Sequence, residues 1–135
     1  MTYEELNEVW ALKKAITKKQ QKIAALRESA EIITPEYTQL PKGKNVDSRI
    51  EVLTALIVDE EAEISKLQER LIEAVPELTK KIQAAIIGDS EQTLMIYRYV
   101  ACKYFRDIGF LMGYSERRVY QVHEQILRNI SIRFS

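Results

Sequence analysis

The chain has 135 residues and equal numbers of basic and acidic side chains, so one ordinary domain, or one small domain plus an extended element, is the expected size, and no basic field covers it as a whole. One cysteine excludes an internal disulfide, which fits an intracellular setting, and one cysteine with one histidine supplies no zinc ligand set. No apolar run is long enough to span a bilayer, and neither a Gly-rich phosphate loop, a nucleophile elbow nor a paired-carboxylate pattern appears. An all-α, soluble, cytoplasmic protein without enzyme chemistry, cofactor, metal or small-molecule substrate is therefore expected.

Charge is unevenly distributed. Residues 1–90 carry 13 Lys/Arg against 16 Asp/Glu, and residues 91–135 carry 7 against 4. The basic end has the sign that a small DNA-contacting module needs.

The first element opens with Thr2 and Glu5 at capping-box spacing. A seven-residue repeat follows, with Val9, Ile16, Ile23 and Ala30 at one position and Leu12, Leu26 and Ile33 at the other. Lys19 is its polar exception. Thr34-Pro35 predicts the helix end, and a loop over about 34–47 follows, with Pro41 and Gly43 as breakers. Ser48 and Glu51 predict the next start. Ile50, Ile57, Ile64, Leu71 and Leu78 form the second seam with Leu53, Leu67 and Ala74, and Glu60 is its exception. Pro76 predicts a kink or an interruption. The two helices form a long antiparallel coiled-coil hairpin over 1–88, which sets Lys19 opposite the Glu60-Glu61 region. A two-helix hairpin buries little area, so a homodimer through it is expected, with Val9, Leu12, Ile16, Ile23, Leu26, Ile57, Ile64 and Leu67 as oligomerisation residues.

Residues 89–135 form the second region. Asp89 or Ser90 predicts the cap of a third helix carrying Leu94, Tyr97 and Ala101 on one face. In "DIGFLMGYSERRVYQVHEQIL", Ile108 anchors a short helix and Gly109 marks a close crossing where a side chain beyond a methyl clashes. Gly113 takes a turn of positive φ, Ser115 caps the next helix, and Val119 and Val122 bury it. These offsets predict a helix-turn-helix.

The segment "YSERRVYQVHEQILRNI" resembles the recognition-helix segment of the fourth region of bacterial primary sigma factors, through Ser115, Arg118, Val119, Gln121, Leu127 and Arg128. The whole chain resembles small phage- and prophage-encoded proteins that join a coiled coil to a C-terminal sigma-like helix-turn-helix. The heptads, the "TPEY…LPKG…D" segment, "RYV" and "GYSERRVYQVH" carry that resemblance. It implies a sequence-specific, DNA-binding transcription regulator in a bacterial host cell, with double-stranded DNA and RNA polymerase as partners. Glu116-Arg117 stands where sigma factors have Arg-Glu, and Tyr120 where they have Arg, so their promoter element does not carry over. Phe110 and Leu111 replace polar residues, which favours an alternative role as an adaptor that docks on a protein. A DNA-packaging recognition subunit is the third reading.

For the DNA-reading role, helix 116–130 enters the major groove with Ser115, Glu116, Arg117, Arg118, Tyr120 and Gln121. Arg117 suits guanine O6/N7 and Gln121 adenine N6/N7. Lys103, Tyr104, Arg106 and His123 are the candidate phosphate contacts. Against this stand an ordinary solvated face, aromatic packing for Tyr104 and a surface hydrogen bond for His123. Trp10 is expected to pack in the hairpin or dimer.

Overall fold

The computed structural model describes the backbone of residues 1–39 and 44–134, and the side chains of 1–32 and 47–130. It is all-helical, with no strand among the described residues. Helix α1 (Tyr3–Gln39) and helix α2 (Lys44–Ala85) are long. Helix α3 (Asp89–Met95) widens into a π-helical turn (Ile96–Val100), and α4 (Phe105–Met112) and α5 (Glu116–Phe134) complete the chain.

Reciprocal bonds start α1. The Glu5 N–H donates to Thr2 Oγ1 at 3.1 Å and the Thr2 N–H to Glu5 Oε2 at 3.2 Å. The expected end at Thr34 is corrected, because α1 continues to Gln39. Pro35 removes one intrahelical partner, that of the Glu31 carbonyl, and Glu31 is exposed. The second helix starts at Lys44, one turn before Ser48. Of the expected loop over 34–47, residues 34–39 and 44–47 are helical, and 40–43 lie outside the described residues. Pro76 does not interrupt α2 either. It lies on the exposed side with Ile72, whose carbonyl loses its partner, and Ala74 and Leu78 hold the opposite side in the core.

The chain divides into two compact units. One comprises residues 13–70, that is, α1 from Lys13 onward and α2 up to Arg70. Ile16, Ile23 and Ile64 are buried there, and Leu26, Ile57 and Leu67 are half-buried. Both polar exceptions meet. Lys19 Nζ lies 3.1 Å from Glu60 Oε2 and also pairs with Glu63, and Lys22 Nζ lies 2.8 Å from Glu60 Oε1. Hydrogen bonds donated to Glu63 and Glu60 raise the Lys19 pKa, and those accepted from Lys22 and Lys19 lower that of Glu60.

The other unit comprises Met1–Leu12 and Leu71–Ser135. Leu6 and Val9 share one core with Ala74, Leu78, Ile82, Leu94, Met95, Ile108, Val119, Ile126 and Ile130. A compact unit thus extends beyond 89–135, because the ends of the first two helices complete its core. Val9, Ile16, Ile23 and Ile64, expected at an interface between copies, are buried within the single chain.

Local geometry in this unit follows from a few residues. Gly88 precedes α3 in an extended conformation, so Asp89 is already helical, contrary to its expected capping place. The Gln92 side chain donates to the Ile86 carbonyl at the end of α2. The π turn places the Ala101 N–H 2.9 Å from the Ile96 carbonyl, and Cys102 then takes φ 56°. Helix α4 ends in Gly113 at φ 71°, where the Tyr114 N–H donates to the Gly109 carbonyl at 2.8 Å.

Candidate nucleic-acid interface

The crossing of α4 on α5 fixes which face of α5 is free. A Cβ built on Gly109 would lie 2.7 Å from the Tyr114 carbonyl oxygen and 3.4 Å from Val119 Cγ2. The approach is closer than expected, since a methyl already collides. Val119 and Ile108 are fully enclosed beside it. Ser115 Oγ accepts the Arg118 N–H at 3.1 Å, which starts α5 one residue later.

Val119, His123, Ile126 and Ile130 form the inward face of α5. Helical spacing then sets Arg117, Gln121, Glu124 and Arg128 on the outward strip, and all four are exposed. Arg128 pairs with Glu124 at 3.3 Å. Neither the Arg117 nor the Gln121 side chain is engaged by another among the described residues. Glu116 is exposed in the first turn, where the helix dipole favours its charge.

Arg118 and Tyr120 flank the strip on opposite sides. Arg118 lines a groove of about 360 Å³ with Glu91, Gln125 and Asn129, over Ile86 and Ile126. The Tyr120 ring rests on Phe105 with centroids 4.5 Å apart and remains 48% exposed.

Lys103 is half-buried in the segment before α4, and Arg106 is exposed in the first turn. Tyr104 is exposed too, with its ring 6.0 Å from that of Trp10. His123 is placed differently from expectation. It is buried on the inward face of α5, where Nε2 lies 2.5 Å from the Tyr99 hydroxyl, so it offers nothing to a phosphate. Burial, with a smaller contribution from the Arg98 charge, pushes its pKa down to about 4. Burial pushes the Tyr99 phenol up to about 12.

Sequence reasoning missed Arg98. Its guanidinium carbon lies 4.7 Å from the Trp10 ring centroid and 4.1 Å from that of Phe105. The Trp10 Nε1–H donates to the Arg98 carbonyl at 2.5 Å, and Arg98 Nη1 donates to the Lys103 carbonyl at 3.2 Å. Trp10 is thus spent inside this unit. No sequence spacing links Trp10 to Arg98; the one available signal is "YRYVACKYF", where an arginine stands among aromatics.

Among the described residues no helix is long and apolar enough to cross a membrane, and no group of three His, Cys, Asp or Glu is arranged to hold a metal ion. Comparison with protein-family models, curated proteins and solved structures gave no match.

Proposed function

We propose that the chain is a sequence-specific DNA-binding transcription regulator of phage or prophage type, with α4 and α5 as a helix-turn-helix and the start of α5 in the major groove. One observation carries the reading. Arg117 and Gln121 stand one turn apart on the outward strip of a helix whose other face is locked by the Gly109 crossing. Arginine forks onto guanine and glutamine onto adenine, so this pair supplies direct readout. Lys103 and Arg106 supply charge for phosphate, and His123 leaves that set. The part of α1 from Lys13 onward and the part of α2 up to Arg70 act as a coiled-coil hairpin. A homodimer, which the reading favours for paired half-sites, then uses exposed apolar residues such as Val52 and Leu56 rather than the filled seam.

Selection from random-sequence DNA with the full-length chain tests the proposal. An enriched site is expected, on which Arg117→Ala costs about 1–3 kcal/mol and flattens preference at one base pair. Lys103→Ala weakens all sequences alike and lowers the salt slope by about one unit. No enrichment at low salt rejects DNA reading.

One feature favours a second reading, an adaptor that docks on RNA polymerase. Phe110 is 91% exposed on α4, and Leu111 beside it is 52% exposed. Under that reading Phe110→Ser abolishes capture of purified polymerase while the chain stays folded.

A further inference from the structure

We infer that Arg98 is a positioning residue for the reading face of α5, acting through Phe105 on Tyr120 and anchored from behind by Trp10. The inference rests on the DNA-reading proposal and deepens it by naming what holds that face.

Four side chains from four elements are stacked in series. Trp10 comes from α1, Arg98 from the π turn, Phe105 from the start of α4 and Tyr120 from α5. The guanidinium carbon lies over two rings, 4.7 Å from the Trp10 centroid and 4.1 Å from that of Phe105, and Phe105 meets Tyr120 in turn at 4.5 Å. Phe105 also meets His123 edge-on at 4.8 Å, so the ring is held on several sides. A planar guanidinium stacks flat on aromatic faces while its N–H groups remain free for other partners; an ammonium does not. Arg98 lies over both rings while its Nη1 bonds the Lys103 carbonyl. That bond also ties down the segment 101–104 that leads into α4, where Cys102 carries a positive φ. The indole N–H bond to the Arg98 carbonyl fixes the stack at its other end.

Tyr120 is the end of the stack that reaches solvent, and it stands on α5 between Arg117 and Glu124 in helical spacing. Residues three apart on a helix are neighbours, so where the Tyr120 ring rests bears on the space left to the Arg117 side chain. Arg98 itself is half-buried behind Phe105 and influences DNA only by way of that ring. No residue of the stack other than Tyr120 belongs to the base-reading set.

The test uses the full-length chain with Arg98→Lys, which keeps the charge and loses the flat stack. Aromatic nuclear magnetic resonance is expected to show that the Tyr120 ring no longer rests on Phe105, while circular dichroism retains the helices. On the selected DNA site, discrimination over scrambled DNA is expected to fall about tenfold, with non-specific affinity and salt slope unchanged. A residue that merely supports the fold lowers cognate and scrambled binding in equal proportion, and that outcome overturns the inference. So does a Tyr120 ring that still rests on Phe105, or unchanged discrimination. Trp10→Phe keeps an aromatic face but removes the indole N–H, so it shifts Tyr120 in the same direction to a smaller extent. It decides the matter if Arg98→Lys melts the chain, and an unmoved Tyr120 resonance then refutes the stack. If the unmodified chain selects no sequence, the DNA proposal falls, while the aromatic spectra still test whether Arg98 positions Tyr120.

Discussion

The Tyr99 hydroxyl and His123 Nε2 stand 2.5 Å apart in the core, joining the π turn to α5 by one hydrogen bond between two residues of opposite acid–base character. Burial keeps both uncharged, moving the imidazole down to about 4 and the phenol up to about 12. In the unfolded chain the imidazole takes its proton near its ordinary value of 6.5. Between these values the unfolded state binds the extra proton, so stability rises with pH there. It is complete above about 6.5 and lost as pH falls toward about 4, a change of order 3 kcal/mol. Thermal melts across this window are expected to slope for the natural chain and to flatten for His123→Gln, which has no proton to gain. A parallel slope in His123→Gln assigns the acid sensitivity to another group.

Gly109 gives a sharper steric test. A methyl there meets a backbone oxygen at 2.7 Å, and backbone cannot swing aside as a side-chain tip does. Gly109→Ala is therefore expected to destabilise by about 1–3 kcal/mol, and Gly109→Leu to unfold the α4–α5 crossing. Denaturant titrations measure both. An alanine variant as stable as the natural chain means that α4 and α5 do not approach this closely.

Cys102 sits at φ 56°, a left-handed conformation that costs a non-glycine residue about 1–2 kcal/mol. Cys102→Gly relieves that strain and loses part of the gain to the entropy of the unfolded chain, leaving an expected stabilisation of roughly 0.5–1 kcal/mol. Cys102→Val, branched at Cβ, is expected to melt lower than the natural chain. The reversed order in calorimetry contradicts a positive φ at this position.

The charged side chains that join α1 to α2 are coupled in a defined way. Glu60→Lys replaces the carboxylate that Lys19 and Lys22 share and sets a third ammonium beside them. Adding Lys19→Glu restores part of the lost stability only, because Lys22 stays opposed and Glu63 acquires a like-charged neighbour. The double-mutant cycle is expected to give favourable coupling that shrinks with added salt. Additive effects would show that Lys19 and Glu60 do not interact in solution.

Residues that act through short spacings were legible in the sequence. Ile16, Ile23 and Ile64 read as an apolar seam, and all are buried. Gly109, Gly113, Ser115 and Val119 read as a crossing, a turn, a cap and an anchor, and the geometry has those features. Lys19 and Glu60 met because both break one repeat at the same level. The misreadings have physical causes. His123 continues the inward spacing of Val119 and Ile126, yet a histidine reads as polar until its buried partner Tyr99 is known. Trp10 and Arg98 are remote in sequence, and no periodicity links an indole to a carbonyl in another helix. Pro35 and Pro76 read as breaks because their cost is local, whereas a solvent-facing carbonyl reduces that cost. Sequence placed Arg117 and Gln121 on one helix but left the identity of the free face to the packing of Val119, His123 and Ile126.

The discontinuous unit has a consequence for synthesis. Val9 is synthesised more than a hundred residues before Ile126 and Ile130, which share its core. Through that interval Leu6 and Val9 have at most the end of α2, with Ala74, Leu78 and Ile82, to cover their apolar face. Closing this core has to wait until Val119, Ile126 and Ile130 are made, whereas the segment 13–70 has its own partners as soon as it is made. Such distant pairings slow folding and leave a nascent chain exposed to association with its neighbours on the same message.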